Sequence, residues 1–326
     1  MTTLAITLAS VLFLMAAVQA YELWMCAKFI RAAKSGADSQ YTPKVAVMMT
    51  LRGADPDLHD GLVRLLTQDY PDYELRIIVD AENDPAWKVV EQAMKTAGNN
   101  RVKLAPLTQR GLSRSLYCSA LVQAAAGVDE SFEAVVLMDG DVVPHKTWLR
   151  ELIAPLENKN VGAAFGNRWY FPTEGRIGSL VRYVWNQGAV AFMRRCKMPW
   201  AGSLAIRRSD LVETGLFDRW SNGLVADAPT PAAMATMGRD VVFVPTVLIA
   251  NREECDLSTC REFLKRQHLW GCLYHKQWPA IAVYTWVSSA ILAATGLFLA
   301  YSALNGDGIN AAWLAGGLAA YAGLLT

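Results

Sequence analysis

The chain has 326 residues, 53% of them hydrophobic and 19% charged. That composition excludes a disordered chain, and the length supplies core volume for one large domain or two smaller ones. Basic and acidic residues nearly cancel, 31 against 30, for a formal net charge of +1, so no basic excess points to a nucleic-acid partner.

A positive mean hydropathy of +0.17 suggests a soluble-type middle region between membrane segments. The cysteines Cys26, Cys118, Cys196, Cys255, Cys260 and Cys272 form no CxxC pair. They read as reduced, buried or interfacial thiols.

Residues 1–21 carry no charged side chain, and Glu22 is the only interruption before Lys28. At about 1.5 Å per residue, residues 4–25 span roughly 33 Å, enough for a hydrocarbon core of about 30 Å. The uncharged start and the Glu22-Leu23-Trp24-Met25 run do not fit a cleaved signal peptide, so an uncleaved anchor over 1–27 is expected. A second uncharged run covers 279–304, a turn follows at Asn305-Gly306-Asp307-Gly308, and another apolar stretch runs over 311–325. Lys28, Arg31 and Lys34 follow the first span, while Arg266, His275 and Lys276 precede the second. Retained positive charge places the middle region on the cytosolic side of an integral membrane protein.

Between the spans, short apolar runs at 44–50, 74–80, 101–104 and 134–138 read as strands. Helical spacing covers 58–66, 85–97 and 113–126. This alternation predicts an α/β fold with a mostly parallel, Rossmann-like sheet and flanking helices. Ligands of such sheets sit beyond the carboxyl ends of the strands. The clusters Thr50-Leu51-Arg52, 80–84 and Asp139-Gly140-Asp141 all follow strands and are expected on one rim.

Two carboxylates separated by one residue, Asp139 and Asp141, can hold a hard divalent cation, Mg²⁺ or Mn²⁺, through oxygen ligands. The same tripeptide also suits a plain acidic turn. Arg176, Arg182, Arg194, Arg195 and Lys197 lie among aromatic and apolar residues over 169–200. That segment reads as a membrane-interface element or as an amphipathic helix packed on the sheet. Phe263, Leu264, Leu269, Trp270, Leu273 and Tyr274 alternate with basic groups over 258–278, as in a helix lying at a membrane surface.

The order of these motifs resembles the inverting nucleotide-sugar glycosyltransferases of GT-A fold, with their Asp, DxD, Asp and (Q/R)xxRW signatures. Within that family the chain is most similar to ceramide glucosyltransferase and its bacterial relatives. Leu51-Arg52-Gly53-Ala54-Asp55-Pro56-Asp57-Leu58 resembles LKGxDPxL, Asp69-Tyr70-Pro71-Asp72-Tyr73-Glu74 resembles DYPxYE, and Asn83-Asp84-Pro85-Ala86 resembles DDPA. The likeness runs over residues 43–278.

The resemblance implies a GT-A domain over 43–257, an interface helix over 258–278 and membrane segments over 279–326. It implies that Thr50, Asp80, Glu82, Asp84, Arg114, Asp139, Arg266, Gln267 and Trp270 bind the nucleotide sugar, UDP-glucose by analogy. Asp139 and Asp141 would hold the metal. Gly202, Ser203 and Trp270 would line the acceptor site, and Asp227 would be the general base. Ala226 stands where the family has Glu, and Leu269 where it has the Arg of its last motif. The implied reaction is inverting transfer of a hexose to a lipid hydroxyl. A processive polysaccharide synthase of the same fold and a catalytically inert membrane scaffold are the competing readings.

Overall fold

The computed structural model describes residues 1–323. A long helix, α1 (Thr2–Ala32), comes first. Then β1 (Val45–Leu51), α2 (Leu58–Leu66), β2 (Tyr73–Val79), α3 (Pro85–Ala97), β3 (Val102–Pro106), α4 (Leu116–Ala125) and β4 (Ala134–Met138) alternate. They are followed by α5 (Trp148–Ile153), β5 (Val161–Phe165), β6 (Arg168–Tyr170), α6 (Ile177–Cys196) and β7 (Ser203–Arg207). Next come α7 (Arg208–Glu213), α8 (Leu216–Ser221), α9 (Thr230–Thr236), β8 (Asp240–Phe243) and β9 (Ile249–Asn251). Three helices close the chain: α10 (Leu257–Tyr274), α11 (Trp278–Leu304) and α12 (Gly308–Gly323). The chain divides into two compact units, Ala33–Arg266 and a helical unit of Met1–Ala32 with the segment from Gln267 onward.

In the larger unit the strands lie in the order β3-β2-β1-β4-β7-β5-β8. β3, β2, β1 and β4 run parallel, and β7 runs antiparallel to both neighbours. This is a mostly parallel α/β sheet, as the alternation of elements predicts. Side chains alternate across it: Val45, Val47 and Met49 point into a core with α2, α3 and α5. Met48, Leu137 and Ile206 face a second core with α4, α8 and α9. Both faces are covered, which is why the central strands read as unbroken apolar runs.

Local chemistry sets the helix ends. Asp84 caps α3 by accepting from the Ala86 amide at 2.8 Å, with Pro85 as the first helical residue. Gly98, at φ 66°, closes that helix in the left-handed region. The helix expected over 113–126 is shorter, because Ser115 accepts from the Cys118 amide at 3.0 Å and starts α4 at Leu116.

Residues 169–200 form β6, a loop and α6. Arg182, read from the sequence as a possible headgroup contact, is 3% exposed and pairs with Glu253 at 2.7 Å. It tethers α6 to the segment after β9 instead.

In the helical unit, α1 and α11 are 31 and 27 residues long and apolar enough to cross a membrane. Ala5, Ala9, Leu12 and Ala16 form the buried stripe of α1, and a Cβ on Gly317 would lie 2.8 Å from the Ala9 Cα. Small residues thus let α1 and α12 approach closely. Phe13, Leu14, Trp286 and Leu297 are exposed, a surface suited to lipid rather than water. The apolar stretch expected over 311–325 is described as far as Gly323, within α12; residues 324–326 lie outside the described residues.

Candidate active site

The parallel strands β1, β2 and β4 end on one rim, which carries Thr50, Asp80 and the Asp139-Gly140-Asp141 turn. The reversal of β7 brings its beginning to the same place, since Met138 pairs with Ser203. Trp200, Ala201 and Gly202 therefore stand beside the acidic turn. Gly140 lets the turn pack closely there, since a Cβ at that position would sit 2.5 Å from the Leu51 Cδ2 and make that side chain shift.

Asp139 is held by a hydrogen bond from the Trp200 side chain. Burial, then the Asp141 charge, raise its pKa, while Arg168 opposes the shift. Asp141 pairs through Oδ2 with Arg168 Nη1 at 3.2 Å, and the Asn251 amide nitrogen lies 3.4 Å from the same oxygen. Its other oxygen, Oδ1, is buried without a hydrogen-bond partner. An orphaned carboxylate oxygen next to a second carboxylate on a strand end is a donor set that fits a hard divalent cation. No group of three or more His, Cys, Asp or Glu side chains arranged for a metal occurs among the described residues. Other coordination positions would fall to water and to substrate oxygens.

Asp227 faces this turn. Its Oδ2 accepts from the Ala201 amide at 2.9 Å and its Oδ1 from the Ala228 amide at 2.7 Å. Burial raises its pKa against the lowering effect of those amides and of Arg168. The charge of Asp227 acts on Asp139, and both act on Tyr117, whose pKa is raised well above the ordinary tyrosine value, mainly by burial. Asp227, Asp139 and Tyr117 thus lie within electrostatic reach of one another.

The remaining expected residues are placed as follows. Asp80 is gripped by Arg110 at 2.8 Å and lies 3.6 Å from Arg52. Glu82 is exposed in the turn before α3. Both oxygens of Asp84 lie 3.0 Å from the Gly53 amide, so this carboxylate, expected to touch nucleotide, is engaged as a structural clamp. Arg114 donates to Ser119 Oγ at 3.1 Å in the loop before α4.

Ser203, expected at the acceptor site, is 0% exposed, and its Oγ accepts from the Trp148 indole at 3.0 Å. Gly202 is buried against the Trp200 ring. Arg266 lies over the Phe263 ring, 5.9 Å from its centroid. Gln267 and Trp270 follow on α10, in the stretch belonging to the helical unit.

Arg168, Trp200 and Tyr117 lie around the acidic turn and were not singled out from the sequence. Arg168 lies 5.1 Å from the Trp200 ring, 5.2 Å from Tyr170 and 5.6 Å from Phe263. The clue available in the sequence was a basic residue among aromatics at 168–170, a common way to shield a charge from water.

A seven-stranded sheet with one reversed strand and an acidic turn at its ligand end defines the GT-A class of sugar transferases. The family model of "Glycosyl transferase family 21" matches residues 5–324, and the chain belongs to that family. It is a glycosyltransferase. The fold is similar to that of "Mannosyltransferase PcManGT from Pyrobaculum calidifontis in complex with GDP-Man and Mn2+". That match has 19% identity, a TM-score of 0.59 and coverage of 98% of this chain and 97% of that one. Weaker likenesses include glucosyl-3-phosphoglycerate synthase from Mycobacterium tuberculosis, at 15% identity and TM-score 0.37 over 68% of this chain and 75% of that one. Another is S. aureus TarS, at 13% identity and TM-score 0.44 over 70% of this chain and 64% of that one. No curated protein matches the sequence.

Proposed function

We propose that the protein transfers a hexose from a nucleotide-diphosphate sugar to a lipid hydroxyl, with inversion, at the cytosolic face of a membrane. The observation that carries this reading is Asp227, fixed by the Ala201 and Ala228 amides within electrostatic reach of Asp139. In an inverting transfer one carboxylate takes the acceptor proton while the leaving diphosphate departs on the opposite side of the sugar. Asp227 is the base. Its amide contacts leave the carboxylate little freedom to rotate, so its geometry is set before substrate arrives.

Asp139 and Asp141 would hold a Mg²⁺ or Mn²⁺ ion, which supplies positive charge to a leaving diphosphate. Arg168, already paired to Asp141, adds a guanidinium beside the same acidic turn. Thr50, Asp80 and Arg114 are assigned to the nucleotide side by their place on the rim and by the family likeness, and Arg266, Gln267 and Trp270 by that likeness alone. UDP-glucose is the donor this likeness favours. The mannosyltransferase of similar fold binds GDP-mannose and Mn²⁺, so GDP-mannose is the donor to compare.

A lipid acceptor explains why a soluble-type sheet is joined to membrane-length helices. Extracting an acyl chain into water costs about 0.8 kcal/mol per CH₂ group, so the site goes to the bilayer. The positive flanks of α1 and α11 support the cytosolic side in this reading.

The protein in nanodiscs, given lipid extract, Mn²⁺ and either radiolabelled UDP-glucose or GDP-mannose, tests the reading. Label entering an organic-soluble product from UDP-glucose is expected. Label found only in a water-soluble polymer would overturn the lipid acceptor, and GDP-mannose as the sole donor would overturn the sugar.

A further inference from the structure

We propose that α6 is a second membrane-contacting element, with its exposed apolar face lying in the headgroup–acyl boundary of a bilayer. The helix is inside out for a water-soluble domain. Ile177, Leu180, Val181 and Val184 follow helical spacing along one face and are 71%, 45%, 40% and 66% exposed. Gly188 continues that face. The opposite face, which is buried, carries Ser179, Arg182 and Asn186. A surface helix of a globular domain normally has the reverse arrangement.

The buried polar groups explain why the helix keeps this orientation. Ser179 Oγ accepts from the Cys255 amide at 2.8 Å. Arg182 pairs with Glu253 at 2.7 Å and stacks 4.1 Å from the Tyr170 ring centroid. Asn186 accepts from the Tyr170 amide and donates to the Arg168 carbonyl, both at 3.2 Å. Rotating α6 to hide its apolar face would break every one of these contacts and strand buried polar atoms. The apolar stripe is therefore held outward.

Its chemistry favours lipid over protein as the occupant. The 20 residues of α6 include no Asp or Glu, which anionic headgroups would repel. Arg195 is exposed on the same face as the stripe, where a basic group favours anionic lipid. Inside the same unit α6 packs on the start of α10, with the Trp185 and Phe263 rings 5.3 Å apart. Chain continuity then leads from α10 to α11, which begins at Trp278 and is long enough to cross a membrane. The proposal rests on α1 and α11 being spans and is independent of the sugar or the acceptor. Docking α6 on the bilayer would give the catalytic unit a contact beyond its two tethers, restricting how it can tilt over the surface.

The test uses the full chain in nanodiscs, with Cys196→Ser and Cys272→Ser as background. An NBD fluorophore is attached through Val184→Cys, and in a second protein through Lys88→Cys on exposed α3. Doxyl-labelled phosphatidylcholine is expected to quench the probe at 184 about threefold or more over that at 88, as interfacial burial requires, with iodide showing the opposite order. Equal iodide quenching at both positions would overturn the proposal. So would shielding at 184 that disappears on dilution in detergent, which would reveal a second copy as the occupant. Failure of the chain to enter nanodiscs would remove the spans themselves, and the α6 proposal with them.

Discussion

Asp227, the base proposed here, shows how burial and hydrogen bonding compete over a single carboxylate. Two backbone amides and Arg168 favour its charged form, yet burial outweighs them and raises its pKa. Only the deprotonated form accepts a proton, so activity is lost as pH falls through the raised pKa. The acid limb of the kcat–pH profile is therefore expected above the ordinary aspartate range near pH 4, and it should vanish from the residual activity of Asp227→Asn. A limb unchanged by that substitution would assign it to another group. Ser203 illustrates the opposite case. Its position after Gly202 invites an acceptor role, but burial and the Trp148 indole make it structural. Ser203→Ala should cost about 1–3 kcal/mol in denaturant unfolding, through an unpaired buried indole N–H, with acceptor KM unchanged.

At the scale of elements, the strands and helices of the first half follow directly from apolar periodicity. Strand ends and helix ends were legible because Pro43, Pro71 and Pro85 punctuate them. Asp84 was legible as a charged residue on the ligand rim, but two roles compete there, and sequence cannot choose between a cap and a nucleotide contact. The structure commits it to the Ala86 and Gly53 amides. Asp84→Ala is accordingly expected to lower stability by about 1 kcal/mol, the usual worth of an N-cap. Calorimetric nucleotide binding should stay unchanged, whereas a large loss of affinity at full stability would restore the nucleotide role. The α6 helix was legible as amphipathic, but which face turns outward was not. That choice depends on partners in β6 and the 251–256 segment, far along the chain.

At the scale of the whole molecule, Asp227 meets the acidic turn because one strand runs backwards. β7 pairs antiparallel with β4, so the Trp200-Ala201 segment meets Asp139, and its Ala201 amide in turn holds Asp227. Strand direction is decided by a long connection and not by local pattern, which is why the acidic turn was readable while Trp200, Arg168 and Tyr117 were not. The proposed metal belongs at this scale too, since it would join the sheet to the substrate. Removing divalent ions with a chelator should weaken nucleotide-sugar binding in the wild type, with little effect in an Asp139→Asn, Asp141→Asn double variant that already binds poorly. Equal binding in all four conditions would exclude the acidic turn from the donor site.

In the proposed reaction Asp227 deprotonates an acceptor beside the acidic turn that holds the donor. The most direct test is donor binding and sugar transfer measured side by side for the wild type and Asp227→Asn in nanodiscs. Removing a positioned base should reduce transfer by about 10²–10⁴-fold while donor affinity stays within a few-fold of the wild type. Transfer by Asp227→Asn at the wild-type rate would contradict the account.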